Sequence, residues 1–170
     1  MSAAFDVRDL LGQPGASRSV FLEERIGGLA TALATVPEDA PVDAELLLEN
    51  VVEGILVSGP VHGTMVLACA RCLKPFRAEF RVTVRELFTP NATPADDEYP
   101  LGEGTVDLEP MLRDAVVLGM PFAPLCREDC LGLCERCGGD RNLGECGCPP
   151  PIDPRWAPLA GLHLDISPPE

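Results

Sequence analysis

The cysteines constrain this chain more than any other feature. Six of the eight lie in one run, Cys126-Arg-Glu-Asp-Cys130-Leu-Gly-Leu-Cys134-Glu-Arg-Cys137-Gly-Gly, closed by Cys146-Gly-Cys148. The other two form a separate pair, Cys69-Ala-Arg-Cys72. A thiolate is a soft ligand, and four at close spacing suit tetrahedral zinc. Cys134-x-x-Cys137-Gly has the form of a zinc knuckle: two ligands clamp one edge of the tetrahedron, and the glycine supplies a positive φ for the turn. The eight thiols divide economically into two sets. Cys134, Cys137, Cys146 and Cys148 are local to one another. Cys69, Cys72, Cys126 and Cys130 would tie the early pair to the later run. A single site from Cys130, Cys134, Cys137 and Cys146 is the alternative, so one or two zinc ions are expected. With every cysteine engaged, no coordination position stays open, and the duty would be structural.

Three other uses of these thiols fit less well. The N-terminus has no apolar signal region, which points to a reducing cytoplasm where disulfides are disfavoured. A redox dithiol at Cys69 and Cys72 would need a strand entering a helix, whereas this pair sits between two strands. Hydrolytic chemistry lacks parts: His62 and His163 are the only histidines, and no nucleophile motif accompanies them. No enzyme activity is expected. No apolar run reaches the length of a membrane span.

The remaining chain reads as α+β, mainly an antiparallel sheet, with barrel-like closure as one form it can take, one main helix and a C-terminal zinc-binding module. Residues 1–125 form the sheet and helix, 126–150 the cysteine-rich module and 151–170 a proline-rich tail. Val20 to Ile26 suits a strand, and residues 27–43 read mainly as loop. From Ala44 a period of two sets in: Leu46, Leu48, Val52 and Leu56 share one parity and Glu45, Glu49 and Glu53 the other. Ser58-Gly59-Pro60 is expected to break that strand. Val61 to Ala68 is a second strand, and the Cys69 pair turns the chain. A third strand alternates Ala78, Phe80, Val82 and Val84 against Arg77, Glu79, Arg81, Thr83 and Arg85. Residues 89–104 read as a long acidic loop.

The spacing of Leu108, Met111, Leu112, Ala115, Val116 and Leu118 predicts a helix over 107–118. Asp107 is its expected N-cap, Glu109 complements its dipole and Pro110 lies in its tolerant first turn. Gly119 and Pro121 end it. Beyond Cys148 the prolines make an extended tail, with Trp156 as a packing anchor.

Charge bounds the partners. The formal net charge is −14, and each four-thiolate zinc site would add two more negative charges. Indiscriminate binding to nucleic acid is therefore excluded, and no DNA partner is expected. One local exception stands out: Arg71, Lys74, Arg77, Arg81 and Arg85 lie within fifteen residues. They form either a solvated strand face, with Arg71 and Lys74 supplying N–H donors to the thiolates, or a phosphate-contacting stripe on RNA.

Several motifs together resemble one family. They are Cys-x-Arg-Cys-Leu-x-Pro-Phe at 69–76, Asp-Leu-Glu-Pro-x-Leu-Arg at 107–113, and Pro-Leu-Cys-x-x-x-Cys-x-Gly-Leu-Cys-x-x-Cys-Gly at 124–138. The chain is similar to the YceD family, in the form that Gram-positive and actinobacterial members take, and Asp153–Ala157 resembles their tail. The resemblance implies a bacterial cytoplasmic protein needed for accumulation of large-subunit (23S) ribosomal RNA. Many members lack most of the second cysteine cluster, which implies that this cluster is not essential to the shared function. The partner expected is large-subunit ribosomal RNA or a pre-ribosomal particle, met through the basic face. The alternative is an acidic module that holds a basic ribosomal protein.

Overall fold

The computed structural model describes residues 4–93 and 98–149, together with Arg155 and Leu159. In order along the chain come β1 (Ala4–Asp6), β2 (Ser17–Glu24), β3 (Ala34–Thr35), β4 (Val42–Val51), β5 (Gly54–Ala68), β6 (Pro75–Thr89), β7 (Tyr99–Pro100), β8 (Thr105–Asp107) and α1 (Glu109–Gly119). The main sheet runs β2-β4-β5-β6-β7, with β3 pairing β5 where β4 has not yet begun. Its pairings are antiparallel except β6 with β7. β1 and β8 make a small ladder of their own. The main sheet is open, ending at β2 on one side and β7 on the other, so the barrel-like form is not adopted.

Period-two alternation decides which face is dry. Val42, Ala44, Leu46 and Leu48 of β4, Ile55, Val57 and Val61 of β5, and Val84 and Phe88 of β6 are buried on one side. The helix lays Leu108, Met111, Leu112 and Val116 on that side, all fully buried. At roughly 2 kcal/mol for each large apolar side chain removed from water, this layer dominates the fold. Leu118 does not join it and is 85% exposed: it lies at the rim of the stripe, about 20° outside Met111, in the last turn of the helix. Tyr99 pins the helix to the far edge: its ring stacks on Phe88 at 5.3 Å and its hydroxyl donates to Asp114 at 2.9 Å.

Four sequence expectations are corrected by the backbone. The first hairpin turns at Val52 and Glu53, and Leu56 belongs to β5. Ser58-Gly59-Pro60 lies inside β5, in register with β4 on both sides. The β4 ladder merely skips from Ala44–Val61 to Leu47–Ser58, since Pro60 has no N–H to give. Gly59 is required there: at φ 150° a Cβ would stand 2.0 Å from the Glu45 carbonyl oxygen. The helix begins at Glu109 with Leu108 as N-cap. Asp107 acts one residue earlier than expected, its carboxylate accepting the Glu109 N–H at 3.2 Å. Tyr99–Pro100 shortens the expected acidic loop, of which Pro94, Asp96 and Asp97 lie outside the described residues. So do Trp156 and nearly all of the proline-rich tail.

The other sheet face carries the odd residues of β6 and β4 and the even residues of β5. β5 and β6 form a hairpin of fourteen paired positions, from Ile55–Phe88 to Ala68–Pro75, and the first cysteine pair sits at its tip.

Candidate metal centre

The hairpin tip and the later cysteine run meet in space. Cys69, Cys72, Cys126 and Cys130 bring their four sulfurs within 4.8 Å of one another, and so do Cys134, Cys137, Cys146 and Cys148. We call these the inner and outer tetrads. Cys69, Cys72 and Cys130 of the inner tetrad are 0–4% exposed and pack with Phe76, Leu125 and Leu133. In the outer tetrad Cys137 and Cys146 are exposed.

The geometry fits a tetrahedral ion. With Zn–S bonds of about 2.3 Å, a tetrahedron has sulfur–sulfur edges of about 3.8 Å. Cys69 Sγ lies 3.8 Å from Cys130 Sγ, and Cys72 Sγ 3.7 Å from Cys126 Sγ. Disulfide sulfurs would be about 2.05 Å apart, and all eight cysteines are free. The single-site grouping of Cys130 with Cys134, Cys137 and Cys146 is not the one formed.

Both Cys-x-x-Cys turns have the same backbone. Cys69 donates to Lys74 O at 3.0 Å and accepts from Leu73 N at 2.8 Å. Cys134 donates to Gly139 O at 2.8 Å and accepts from Gly138 N at 2.8 Å. The residue after each second cysteine has a positive φ, 70° at Gly138 and 59° at Leu73. The outer knuckle uses glycine there as expected. The inner one holds a leucine in the left-handed region, which costs about 1–2 kcal/mol. The turn also aims amides at sulfur. The N–H of Cys126, then that of Cys72, holds the Cys69 thiol down to about 6. The N–H groups of Cys137 and Arg136 do the same for Cys134, also to about 6. The neighbouring Cys137 and Cys146 push Cys148 up to about 12. Four thiolates in one cluster repel each other, and a central dication is what lets all four ionise.

The five cationic candidates separate into two groups. Arg71 and Lys74 knit the junction. Arg71 donates to the carbonyls of Cys130 at 2.8 Å and Glu128 at 3.3 Å. Lys74 pairs with Asp140 at 2.6 Å, and that contact draws the Asp140 carboxyl down to about 2. Arg77, Arg81 and Arg85 are exposed on the open face of β6, and among the described residues no ion pair engages them. Across the hairpin they stand opposite Val66, His62 and Ser58. The next strand, β4, presents Asp43, Glu45 and Glu49 on the same face. Two strand spacings are about 10 Å, close to the Debye length of about 8 Å in physiological salt. Glu79 lies between Arg77 and Arg81 on the same face of β6, so together with the acidic strand it offsets part of the field of the stripe.

Sequence reasoning missed the loop between the outer ligand pairs. Asn142 accepts from Leu131 N at 2.8 Å and from Arg127 at 2.7 Å, and donates to Cys130 Sγ at 3.6 Å. Asp140 orients it, accepting from Asn142 N at 2.9 Å and Nδ2 at 2.7 Å. An Asp-x-Asn pair in a ligand-bearing loop is the signal that could have marked them.

Comparison with known proteins adds the following. A family profile described as "Large ribosomal RNA subunit accumulation protein YceD" matches residues 57–163, a span that takes in all eight cysteines. Uncharacterized proteins of Mycobacterium bovis and Mycobacterium tuberculosis are each 38% identical over 166 residues, covering 94% of this chain and 74% of theirs. One from Mycobacterium leprae is 37% identical over 168 residues, covering 93% of this chain and 76% of its own. No solved structure matches the chain. Among the described residues no helix is long and apolar enough to cross a membrane.

Proposed function

The chain belongs to the YceD family of large ribosomal RNA subunit accumulation proteins, and on that premise we propose that it is a non-enzymatic cytoplasmic factor that binds large-subunit ribosomal RNA through one face of β6. The observation that carries the reading is the stripe of Arg77, Arg81 and Arg85, exposed and, among the described residues, without ion pairs in a chain of net charge −14. Guanidinium groups four residues apart on a strand face one way, about 13 Å from each other, and are suited to phosphate oxygens. Arg71 and Lys74 are not part of that contact in this reading, because they hold the hairpin tip to the cysteine module.

Both tetrads hold zinc in this reading, and its work is structural. All-thiolate tetrahedra leave no position for substrate or water, and such sites contribute on the order of 10 kcal/mol to folding. The inner site fixes the tip of the β5–β6 hairpin, and with it the pose of the arginine stripe relative to the module.

A second reading has a specific observation behind it. Asp43, Glu45 and Glu49 on β4, two strands from β6, offer a docking band for a basic ribosomal protein. Crosslinking from cells, read out for RNA and for protein, separates the two. The first reading expects large-subunit ribosomal RNA joined to β6. A ribosomal protein joined to β4, without RNA, favours the second. Recovery of neither overturns both.

A further inference from the structure

We infer that Asn142, carried on the loop of the outer tetrad, is a positioning residue of the inner tetrad, so that the inner ion is held fully only while the outer ion keeps that loop ordered. The inference rests on the reading that both tetrads hold zinc.

The contacts run one way, from the outer loop to the inner site. Asn142 gives its Nδ2–H to Cys130 Sγ at 3.6 Å, a donor aimed at a ligand sulfur. Its Oδ1 takes the Leu131 N–H at 2.8 Å and the Arg127 guanidinium at 2.7 Å, which holds the backbone just after Cys130 and a side chain from just before it. Asp140 sets the Asn142 side chain through one oxygen and pairs through the other with Lys74 of the inner knuckle. Arg141 N donates to Gly132 O at 2.9 Å, and Leu133 bridges Asp140. Every one of these partners belongs to the inner tetrad, its flanks or the link between the sites. What holds the ends of the loop is the outer tetrad, since Cys137 precedes it and Cys146 follows it. Without the outer ion, only these contacts and the local turn hydrogen bonds of Gly138, Gly139 and Leu143 oppose, among the described residues, the entropy of a loop spanning 138–145.

Exposure sets the order of events. Cys137 and Cys146 face solvent, whereas three of the four inner ligands are nearly fully buried. A chelator reaches the outer ion first. Its loss frees Asn142, withdraws a donor from the Cys130 thiolate and opens the way to the inner ion. Groups that orient and hydrogen-bond metal ligands typically contribute 10–100-fold to affinity.

The test uses the full chain loaded with zinc, challenged with a coloured chelator in excess. The native chain should release two ions per chain in two phases. Asn142→Ala should speed the slow phase about tenfold. Asn142→Asp keeps the shape but replaces the donor with an anionic oxygen beside a thiolate and Asp140, so it should speed that phase more than alanine does. A role limited to bracing the loop predicts the opposite order. Cys134→Ser should remove the fast phase and quicken the remaining one. In the cobalt-substituted chain, Asn142→Ala should shift the sulfur-to-metal charge-transfer band of the inner site. Two ions released with a slow phase unchanged in both Asn142 variants, or one ion released at the native slow rate from Cys134→Ser, would overturn the coupling and leave the metal reading standing. A chain that binds no zinc overturns both.

Discussion

Reversing the charge of Arg77, Arg81 and Arg85 to glutamate bears most directly on how this chain would meet RNA. All three side chains stand in solvent on one face of β6, and none takes part in the buried layer. Surface changes of this kind usually cost within about 0.5 kcal/mol each, so the triple variant should keep its fold and its metal. Its effect on binding follows from counting phosphates. Each one neutralised contributes about −0.9 to the slope of log K against log salt on duplex and about −0.7 on single strands. Three contacts give a slope of about −2.7 or −2.1, a loss of roughly 20- to 40-fold in affinity between 50 and 200 mM salt. The variant should bind with a slope near zero, or not at all. Fluorescence anisotropy with fragments of large-subunit ribosomal RNA, titrated at four salt concentrations, measures this. A variant with the native slope would refute the reasoning and move the contact to the module's own cations, Arg127, Arg136 and Arg141.

Other outcomes follow from the same geometry. Gly59→Ala puts a Cβ 2.0 Å from the Glu45 carbonyl oxygen in the middle of the sheet; it should destabilise the chain by about 4 kcal/mol or more in urea unfolding, and a loss of under about 1 kcal/mol would contradict the packing described. Gly138→Ala meets no atom within 4 Å but keeps a positive φ of 70°, so it should cost only about 1 kcal/mol and loosen the outer ion first, with the inner ion following; an inner ion loosened while the outer one is held as tightly as before would count against this order. The Asp140 carboxyl sits at about 2 against an ordinary 3.8 because Lys74 faces it. Its contribution is therefore present in full above about pH 4 and lost as pH falls toward 2. The stability difference between the native chain and Lys74→Met should be full and constant above about pH 4 and shrink as pH falls toward 2 in unfolding titrations; a difference that kept growing above pH 5 would contradict this.

How much of this was legible in the sequence varies by element, for physical reasons. The alternation of Ala78, Phe80, Val82 and Val84 against arginines is a property of a strand with one dry face, and β6 follows it residue by residue. The helix stripe was legible for the same reason. The division of eight cysteines into two tetrads was only one of two groupings that spacing allowed, since Cys130 could equally have joined Cys134, Cys137 and Cys146, and it is the fold that brings Cys69 and Cys72 to Cys126 and Cys130. The turn at Val52 and Glu53 was not. Gly59 and Pro60 carry a strong local turn signal, and only the neighbouring strand, whose backbone approaches too closely for any Cβ, gives them their place inside β5. Leu73 breaks the glycine rule of its own knuckle, a local cost that the surrounding inner tetrad sustains. Arg71 and Lys74 looked like their neighbours on β6. They differ because the chain returns at Cys126 to cover the hairpin tip, a long-range event that no local window contains. The contacts of Asn142 with the inner tetrad were hidden for the same reason, although the Asp140-x-Asn142 pair marks a turn locally.

The central claim is that this chain supports large-subunit ribosomal RNA through the open face of β6. The most direct measurement is the ratio of large- to small-subunit ribosomal RNA in cells that lack the chain, then carry either the native form or the Arg77, Arg81 and Arg85 reversal at equal level. The account predicts a lowered ratio without the chain, restored by the native form and left low by the reversal. Full restoration by the reversed form would contradict it.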